Sequence, residues 1–177
     1  MLSRKIPAYR RVFAAVPAFL VLSGCGFQPL YGTPAGNAAA TALSEVYVEP
    51  IPDRVGYQLR NDLLDMFNAT GRAGDAAYRL KLSLIEAEQA VGLQTNTNIT
   101  RYNYTLRAHY ELTRRGSTDI LKSGDLTTLT AYNVAAAPFL YATVTAEQDA
   151  KNRAANDLAE RLRVTIAVFL RGQAGAR

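Results

Sequence analysis

The stretch RYNYTLRAHYELT, residues 101–113, alternates apolar and polar side chains over its whole length. Even-numbered positions carry tyrosine, leucine and alanine, and odd-numbered positions carry arginine, asparagine, threonine, histidine and glutamate. Successive side chains of a β-strand point to opposite faces, so this pattern predicts a long strand with one covered face and one polar face. Such a strand requires neighbouring strands and a layer of helices to cover its apolar side.

Strand patterns lie on both sides of this stretch. The segment YRLKLSLIEAE, which begins at Tyr78, has the same alternation, and the turn-forming RRGSTD, residues 114–119, leads into ILKSGDLTTLTAYNV. Leu126 and Leu129 fall on opposite parities in this last strand, which predicts a β-bulge near Gly124.

Two segments have helical spacing instead. In DRVGYQLRNDLLDMFNATG the apolar residues recur every three or four positions, and we expect Asp53 to cap its start and Gly71 to end it. In VTAEQDAKNRAANDLAERLRVTIAVFLR, Thr145 and Gln148 have the spacing of a capping box. With the short β-branched segment EVYVEPIP as a first strand, the predicted element order is β-α-β-β-β-α.

The predicted fold class is α/β (α+β), a two-layer sandwich. A four-stranded, largely antiparallel sheet has both helices packed on one face, and its other face stays polar. We expect one domain over residues 44–171 and a disordered tail at 172–177, because 177 residues are enough for a single domain.

The first 24 residues have the three zones of a secretory signal peptide: a basic start, the apolar run VFAAVPAFLVL, and small residues before Cys25. A membrane-spanning helix is the weaker interpretation, because the run is about half of the ~20 residues that a span needs. Residues 25–43 are interpreted as a tether rich in Gly, Ala, Pro and Thr. Four of the 20 basic residues lie in the leader, so the remaining chain is nearly neutral.

Composition and pattern argue against several functions. The single cysteine and the single histidine, His109, provide neither an intramolecular disulfide nor a zinc site, and we predict no metal or catalytic site. A general base at His109 would need an oriented nucleophile, which no motif indicates. Tyrosines and arginines alternate in residues 101–113, so they cannot act together as a nucleic-acid platform.

The sequence LSGC, residues 22–25, resembles the bacterial lipoprotein box. This resemblance implies cleavage before Cys25 and covalent attachment of a diacylglycerol and an N-acyl chain to Cys25, with no other cofactor. It also implies, from Gly26, export to the outer membrane. The alternative for Cys25 is a buried structural cysteine.

The start CGFQPLYG, residues 25–32, and the helix AEQDAKNRAANDLAERL, residues 146–162, together with the element order, resemble the LPS-assembly lipoprotein family, LptE. The resemblance implies a protein without enzymatic activity, anchored in the outer membrane on the periplasmic or barrel-lumen side. It implies that such a protein plugs the LPS-transport β-barrel LptD, supports its assembly, and helps deliver lipopolysaccharide to the outer leaflet.

Lipopolysaccharide is an anionic amphiphile, so its binding should need cationic side chains. We select Arg101, Arg107 and Lys122, on or near the polar sheet face, as candidate lipopolysaccharide-binding residues. The alternative is a solvated strand face without a ligand. In better-known relatives the basic contacts lie in segments that here carry no Lys or Arg, so their roles cannot be transferred. Two further alternatives are a lipoprotein that carries a small apolar ligand in its own cavity and an envelope enzyme using His109.

Overall fold

A computed structural model of the chain describes residues 40–74, 76–93, 99–135 and 139–175. The predicted signal peptide, Cys25 and most of the predicted tether therefore lie outside the described residues.

One four-stranded sheet forms the first layer of the fold, with the strands side by side in chain order. Its strands are β1 (Val46–Val48), β2 (Tyr78–Leu93), β3 (Ile99–Arg114) and β4 (Ile120–Asn133). The two hairpins β2–β3 and β3–β4 are antiparallel, and β1 is parallel to β2. Parallel neighbours need a crossover connection, which here contains a helix.

Two helices, α1 (Asp53–Phe67) and α2 (Leu140–Gly175), form the second layer. Both pack on the even-numbered face of β3, so the predicted two-layer sandwich is confirmed. The largest fully buried side chains come from both layers and include Tyr104, Phe67, Leu59, Leu63, Leu106, Leu112, Leu158 and Leu162. Neither α2 nor any other described helix is both long and apolar enough to cross a membrane.

The ends of α1 differ from the sequence prediction. Pro52 occupies the N-cap position and no side chain caps the helix, while Asp53 has a left-handed backbone with φ of 67°. At the other end Asn68, with φ of 52°, terminates the helix and donates its N–H to the carbonyl of Leu64. Asparagine tolerates the left-handed region, so the helix ends before it reaches Gly71.

The start of α2 also differs from the prediction, because the helix begins at Leu140 and not at Thr145. The Thr145 hydroxyl donates to the carbonyl of Tyr141, one turn earlier, at 3.2 Å. Gln148 donates to Asn152, so the predicted capping box is not formed. The physical reason is that no Pro or Gly lies between Pro138 and Thr145 to stop the helix from extending backward.

The C-terminal end of α2 reaches Gly175, although a disordered tail was expected from residue 172 onward. At the other end of the domain, Leu43 is buried in the core, one residue before the expected boundary.

The bulge in β4 lies at Leu121 and not near Gly124. Leu121 is the extra residue, because Ile120 and Lys122 pair with adjacent residues of β3. From Lys122 onward, the even-numbered residues of β4 share the covered face.

A polar layer replaces the apolar core where β2, β3 and β4 extend beyond α1. Tyr104 is fully buried and its hydroxyl donates to Glu86 at 2.8 Å, while Tyr132 donates to Glu88 at 3.2 Å. The Lys151 ammonium lies 3.2 Å from Glu88 and 5.6 Å from the centre of the Tyr104 ring. Burial raises the pKa of Tyr104, and the bond to Glu86 raises it further, so its hydroxyl remains a donor.

A second polar contact joins β4 to α2. Thr128 is buried, and its hydroxyl donates to the Asp157 carboxylate at 2.6 Å. This hydrogen bond lowers the pKa of Asp157, with a further contribution from Arg161 at 3.0 Å. Thr130 makes a comparable bond to a neutral acceptor, the carbonyl of Ala150, at 3.0 Å.

Replacing Thr128 tests this contact. Thr128→Val should lower the free energy of unfolding by about 1 kcal/mol near neutral pH, because a charged acceptor loses its donor. The pKa of Asp157 is lower in the folded than in the unfolded chain, so the stabilisation is complete above the unfolded pKa and is lost as the pH falls through the folded pKa. Urea unfolding near neutral pH and at about pH 3 should therefore show a cost that shrinks in acid. Thr130→Val is the control, because its hydroxyl donates to a neutral carbonyl and its loss should lower the free energy of unfolding equally at both pH values. If Thr128→Val also lowers the free energy of unfolding equally at both pH values, the charged hydrogen bond to Asp157 is contradicted.

Candidate functional site

The face of the sheet turned away from both helices, called the open face here, is formed by the odd-numbered residues of β3 and their partners. Directly paired residues of antiparallel strands project to the same side, so the register gives its composition. The rows across β2, β3 and β4 are Gly92–Arg101–Asn133, Gln89–Asn103–Ala131, Ala87–Thr105–Leu129, Ile85–Arg107–Thr127, Ser83–His109–Asp125 and Lys81–Glu111–Ser123.

Two of the three predicted binding residues, Arg101 and Arg107, lie on the open face. Both are exposed, and neither guanidinium makes an ion pair or hydrogen bond with another described residue. They are six residues apart on one strand, which corresponds to about 20 Å. The two cations can therefore contact separate anionic groups of one extended ligand, but not a single group.

The third predicted residue, Lys122, does not join them. It pairs with Leu112, which is buried under the helices, so the backbone directs Lys122 to the face opposite Arg101 and Arg107. Lys122 is exposed there. The prediction that Lys122 lies on or near the open face is wrong, because the bulge at Leu121, and not one near Gly124, sets the parity of β4 and turns Lys122 to the other face.

The open face also carries apolar residues that the sequence analysis missed. Ile85 pairs directly with Arg107, and its side chain is 65% exposed. Leu129 pairs with Thr105, one row away, and is 63% exposed. The sequence contained one signal for this exposure: Leu129 has an odd number, whereas Leu126 has an even one. We interpreted this difference as evidence for a bulge and not for an exposed leucine.

Acidic groups on the open face gather at one end. Nδ1 of His109 lies 3.1 Å from Asp125, and Nε2 lies 3.7 Å from Glu111. The rows from Arg101 to Arg107 contain no Asp or Glu. This part of the open face, called the basic patch here and formed by Arg101, Arg107, Ile85 and Leu129, is therefore both cationic and partly apolar.

The row Ser83–His109–Asp125 contains the three residue types of a hydrolytic triad, but its geometry does not support nucleophilic catalysis. Nδ1 of His109 faces Asp125, whereas Nε2 is closest to Glu111 and no hydrogen bond joins His109 to Ser83. A triad needs the base in contact with the nucleophile. Within the described residues, no group of three or more His, Cys, Asp and Glu side chains is placed to hold a metal ion.

A groove of about 590 Å³ lies between α1, α2 and β4. Its lining includes Asp62, Asn156, Asp157 and Glu160, and Leu129 is its single apolar residue. Burial raises the pKa of Asp62, whose carboxylate accepts from Gln58 at 2.8 Å. A polar lining of this kind gives no support to the alternative of a small apolar ligand carried in an internal cavity.

A family model for lipopolysaccharide assembly, LptE, matches residues 43–166, which include the sheet, α1 and most of α2. The chain belongs to the LptE family. Membership supports a role in lipopolysaccharide assembly, within a family of non-enzymatic envelope lipoproteins, as the sequence resemblance implied.

Solved structures agree with the LptE fold. A candidate lipoprotein from Caulobacter crescentus CB15 is 28% identical with a TM-score of 0.64, over 77% of this chain and 98% of that one. A minor lipoprotein from Acinetobacter baumannii is 17% identical with a TM-score of 0.53, over 71% and 92% of the two chains. Rare lipoprotein B from Shewanella oneidensis is 14% identical with a TM-score of 0.51, over 70% and 92%. No curated protein sequence matches this chain.

A matched pair of leucines tests which face is covered. Leu129→Ala should change the free energy of unfolding by less than about 0.5 kcal/mol, because an exposed leucine loses little on truncation. Leu106→Ala on the covered face of β3 should cost about 2–5 kcal/mol, because its side chain is fully buried. Urea unfolding of both variants measures the difference, and equal costs would contradict the assignment of the faces.

Proposed function

We propose that this LptE-family chain is an outer-membrane lipoprotein that plugs the LPS-transport β-barrel LptD and supports its assembly. We further propose that it helps deliver lipopolysaccharide to the outer leaflet. The observation that carries the proposal is the family match over residues 43–166, which spans almost the whole folded domain.

In this proposal Cys25 supplies the membrane attachment through its covalent diacylglycerol and N-acyl chains. Each buried methylene contributes about 0.8 kcal/mol, so two or three acyl chains give lasting attachment where one would be marginal. The first described residue, at position 40, lies fifteen positions after Cys25, a distance along the chain that reaches about 50 Å when fully extended. The domain then remains on the periplasmic or barrel-lumen side while keeping some freedom of orientation.

A plug must fit a polar lumen, since the interior of a large outer-membrane barrel is polar. Outside the basic patch, the open face is built mainly from Ser, Thr, Asn, Gln, charged and small side chains, with Ile120, which pairs with Thr113, as an exposed apolar exception. A largely polar surface of this kind can be buried against the polar wall of a barrel lumen.

Lipopolysaccharide recognition is assigned to the basic patch. Arg101 and Arg107 offer free guanidinium groups to phosphates, and guanidinium groups form charge-assisted, bidentate bonds with phosphate. Ile85 and Leu129 place apolar surface beside Arg107, where an acyl chain of the same ligand can lie. The combination matches an anionic amphiphile better than it matches a simple anion.

The barrel partnership is tested by affinity purification of the full chain from membranes of its host in detergent. We expect a barrel protein in a one-to-one complex, identified by mass spectrometry, and intact-mass analysis should find acyl chains on Cys25. Cys25→Ala should move the chain to the periplasmic fraction and reduce the yield of the complex. Recovery of the anchored chain without a barrel would contradict the plug and favour a ligand carrier, and an unmodified Cys25 thiol would contradict the anchor.

The basic patch is tested by charge reversal. Arg101→Glu combined with Arg107→Glu should weaken lipopolysaccharide binding by roughly tenfold or more, because two exposed charge contacts of up to about 1 kcal/mol each are lost. Lys122→Glu is the matched control, since it reverses an exposed charge on the other face and should leave binding unchanged. The measurement is equilibrium binding of purified chain to labelled lipopolysaccharide at two salt concentrations. Unchanged binding in the double variant, or equal loss in the Lys122→Glu control, would rule out the patch.

A further inference from the structure

The last strand of the sheet, β4, pairs with β3 on one side, and no described strand lies on its other side. The N–H of Val134 donates to the carbonyl of Thr100 at 2.9 Å, directly after the last paired residues of this hairpin. Bonded and outward-pointing residues alternate along an antiparallel strand, so the even-numbered residues of β4 bond to β3. The odd-numbered residues therefore direct their backbone N–H and C=O groups away from the sheet.

Only the far end of this row of outward groups is occupied within the described part of the chain, where the carbonyl of Ala131 accepts from Arg153 at 3.3 Å. The remaining outward groups have no hydrogen-bond partner among the described residues. We call them the free edge, and they belong to Ser123, Asp125, Thr127 and Leu129.

The free edge lacks the features that usually prevent strand pairing, such as proline, bulges and dense charge. Residues 122–133 contain no proline and only two charged side chains, Lys122 and Asp125. The ladder to β3 is regular from Lys122 onward. The seven residues from Ser123 to Leu129 are about 23 Å long, so they offer a regular template for one more strand.

Apolar side chains of α2 follow the same edge on the helical side. Asp157 accepts from Thr128, and α2 then runs toward the start of β4, because the earlier Ala150 bonds to the later Thr130. Val164 and Val168 come seven and eleven residues after Asp157, which places them on the same stripe of the helix, about 10 and 16 Å further along. They are 45% and 49% exposed, although they lie beside the first half of the free edge.

The groove between the helices and β4 reaches the second half of the free edge. Three consecutive residues, 128–130, line it. Successive side chains of a strand point to opposite faces, so a groove on one face would be lined by every second residue. Contact with three in a row indicates that the groove opens along the edge of β4, where an added strand would lie.

The charged side chains near the free edge indicate what such a strand would carry. Glu160 lines the groove near Leu129, and Lys122 lies beside the start of the edge. Neither makes an ion pair with another described residue. The site therefore matches an extended segment with apolar side chains toward Val164 and Val168, a basic residue near Glu160 and an acidic residue near Lys122.

Other occupants match the free edge less well. Residues 26–39 of the tether carry no Asp, Glu, Lys or Arg, and Pro29 and Pro34 each lack a backbone donor. A second copy is disfavoured by area, because each partner of a stable dimer buries about 800 Å² and one strand edge with two valines supplies a fraction of that. A segment already held nearby in a one-to-one complex needs less area, since its effective concentration is high.

We propose that an extended segment of the barrel partner adds to the free edge of β4 as a fifth strand. This inference rests on the proposed plug. The wall of a barrel is closed and has no unpaired strand, so the segment is one that lies outside the wall. Such segments occupy the lumen of some outer-membrane barrels, which places them beside a plug.

Hydrogen–deuterium exchange at single-amide resolution tests the proposal. The acylated chain is compared in two states: in its barrel complex from membranes, and purified alone from cells that overproduce it without the barrel. We expect the amides of Ser123, Asp125, Thr127 and Leu129 to exchange at least tenfold more slowly in the complex. The even-numbered amides of β4 should change little, because β3 already accepts their hydrogen bonds in both states.

A matched pair of variants at Thr127 gives a second test. Thr127→Pro removes one outward N–H without touching the ladder to β3, a position where an edge strand tolerates proline. Thr127→Val keeps that N–H and the branched shape of the side chain. We expect Thr127→Pro to abolish most of the protection at Asp125 and Leu129 in the complex while its circular dichroism stays unchanged, and Thr127→Val to retain the protection.

The outcomes separate this proposal from the plug. A barrel complex with unprotected odd-numbered amides would overturn the added strand and leave the plug standing. Equal slowing of odd-numbered and even-numbered amides would also overturn it, because a partner that only covers a face does not distinguish them. Protection already present in the chain alone would assign the edge to the tether or, if it rises with concentration, to a second copy, and would overturn the proposal. Recovery of the chain without a barrel would overturn both proposals.

Discussion

The alternation along β3 is the constraint on which the structure depends. Its even side chains, including Tyr104, Leu106 and Leu112, are fully buried under the helices, while the odd ones form the open face. A shift of β3 by one residue relative to both neighbours would exchange the two sets, burying its arginines and exposing its leucines, so the register is strongly specified. Because β3 lies between β2 and β4, its parity also determines which side chains of those strands face the helices, and the open face follows from the same register.

The sheet is longer than its apolar cover. The strands β2 and β3 each have 16 residues, about 50 Å, whereas α1 has 15 residues and spans about 22 Å. Beyond α1 the covered face is closed by the tyrosine, glutamate and lysine contacts around Tyr104 and Lys151. These contacts satisfy the hydroxyl groups of the buried Tyr104 and Tyr132, and the side chains of α2 become buried only from Ala150 onward.

The sequence predicted the architecture and the positions of Arg101 and Arg107, because strict alternation over a long strand reports directly on the two faces. It failed for Lys122, since a bulge at the preceding residue, Leu121, inverts the face of this side chain without changing the local composition. It also failed at helix ends: Asn68 in a left-handed conformation replaced Gly71, and α2 extended back to Leu140. Local signals at these ends compete, and tertiary packing decides between them. The odd parity of Leu129 was a signal for its exposure, but it was interpreted as evidence for a bulge.

Two groups of exposed apolar side chains in the described part of this domain have different electrostatic surroundings. Ile85 and Leu129 lie beside unpaired arginines, on a flat sheet that can receive a ligand with both charge and hydrocarbon. Phe139, Leu140, Tyr141 and Val144 lie in an uncharged segment at the start of α2, and each is at least 61% exposed. The first group lies on the sheet and the second on the helical layer, so the two apolar surfaces share no residue and contact at one of them does not cover the other.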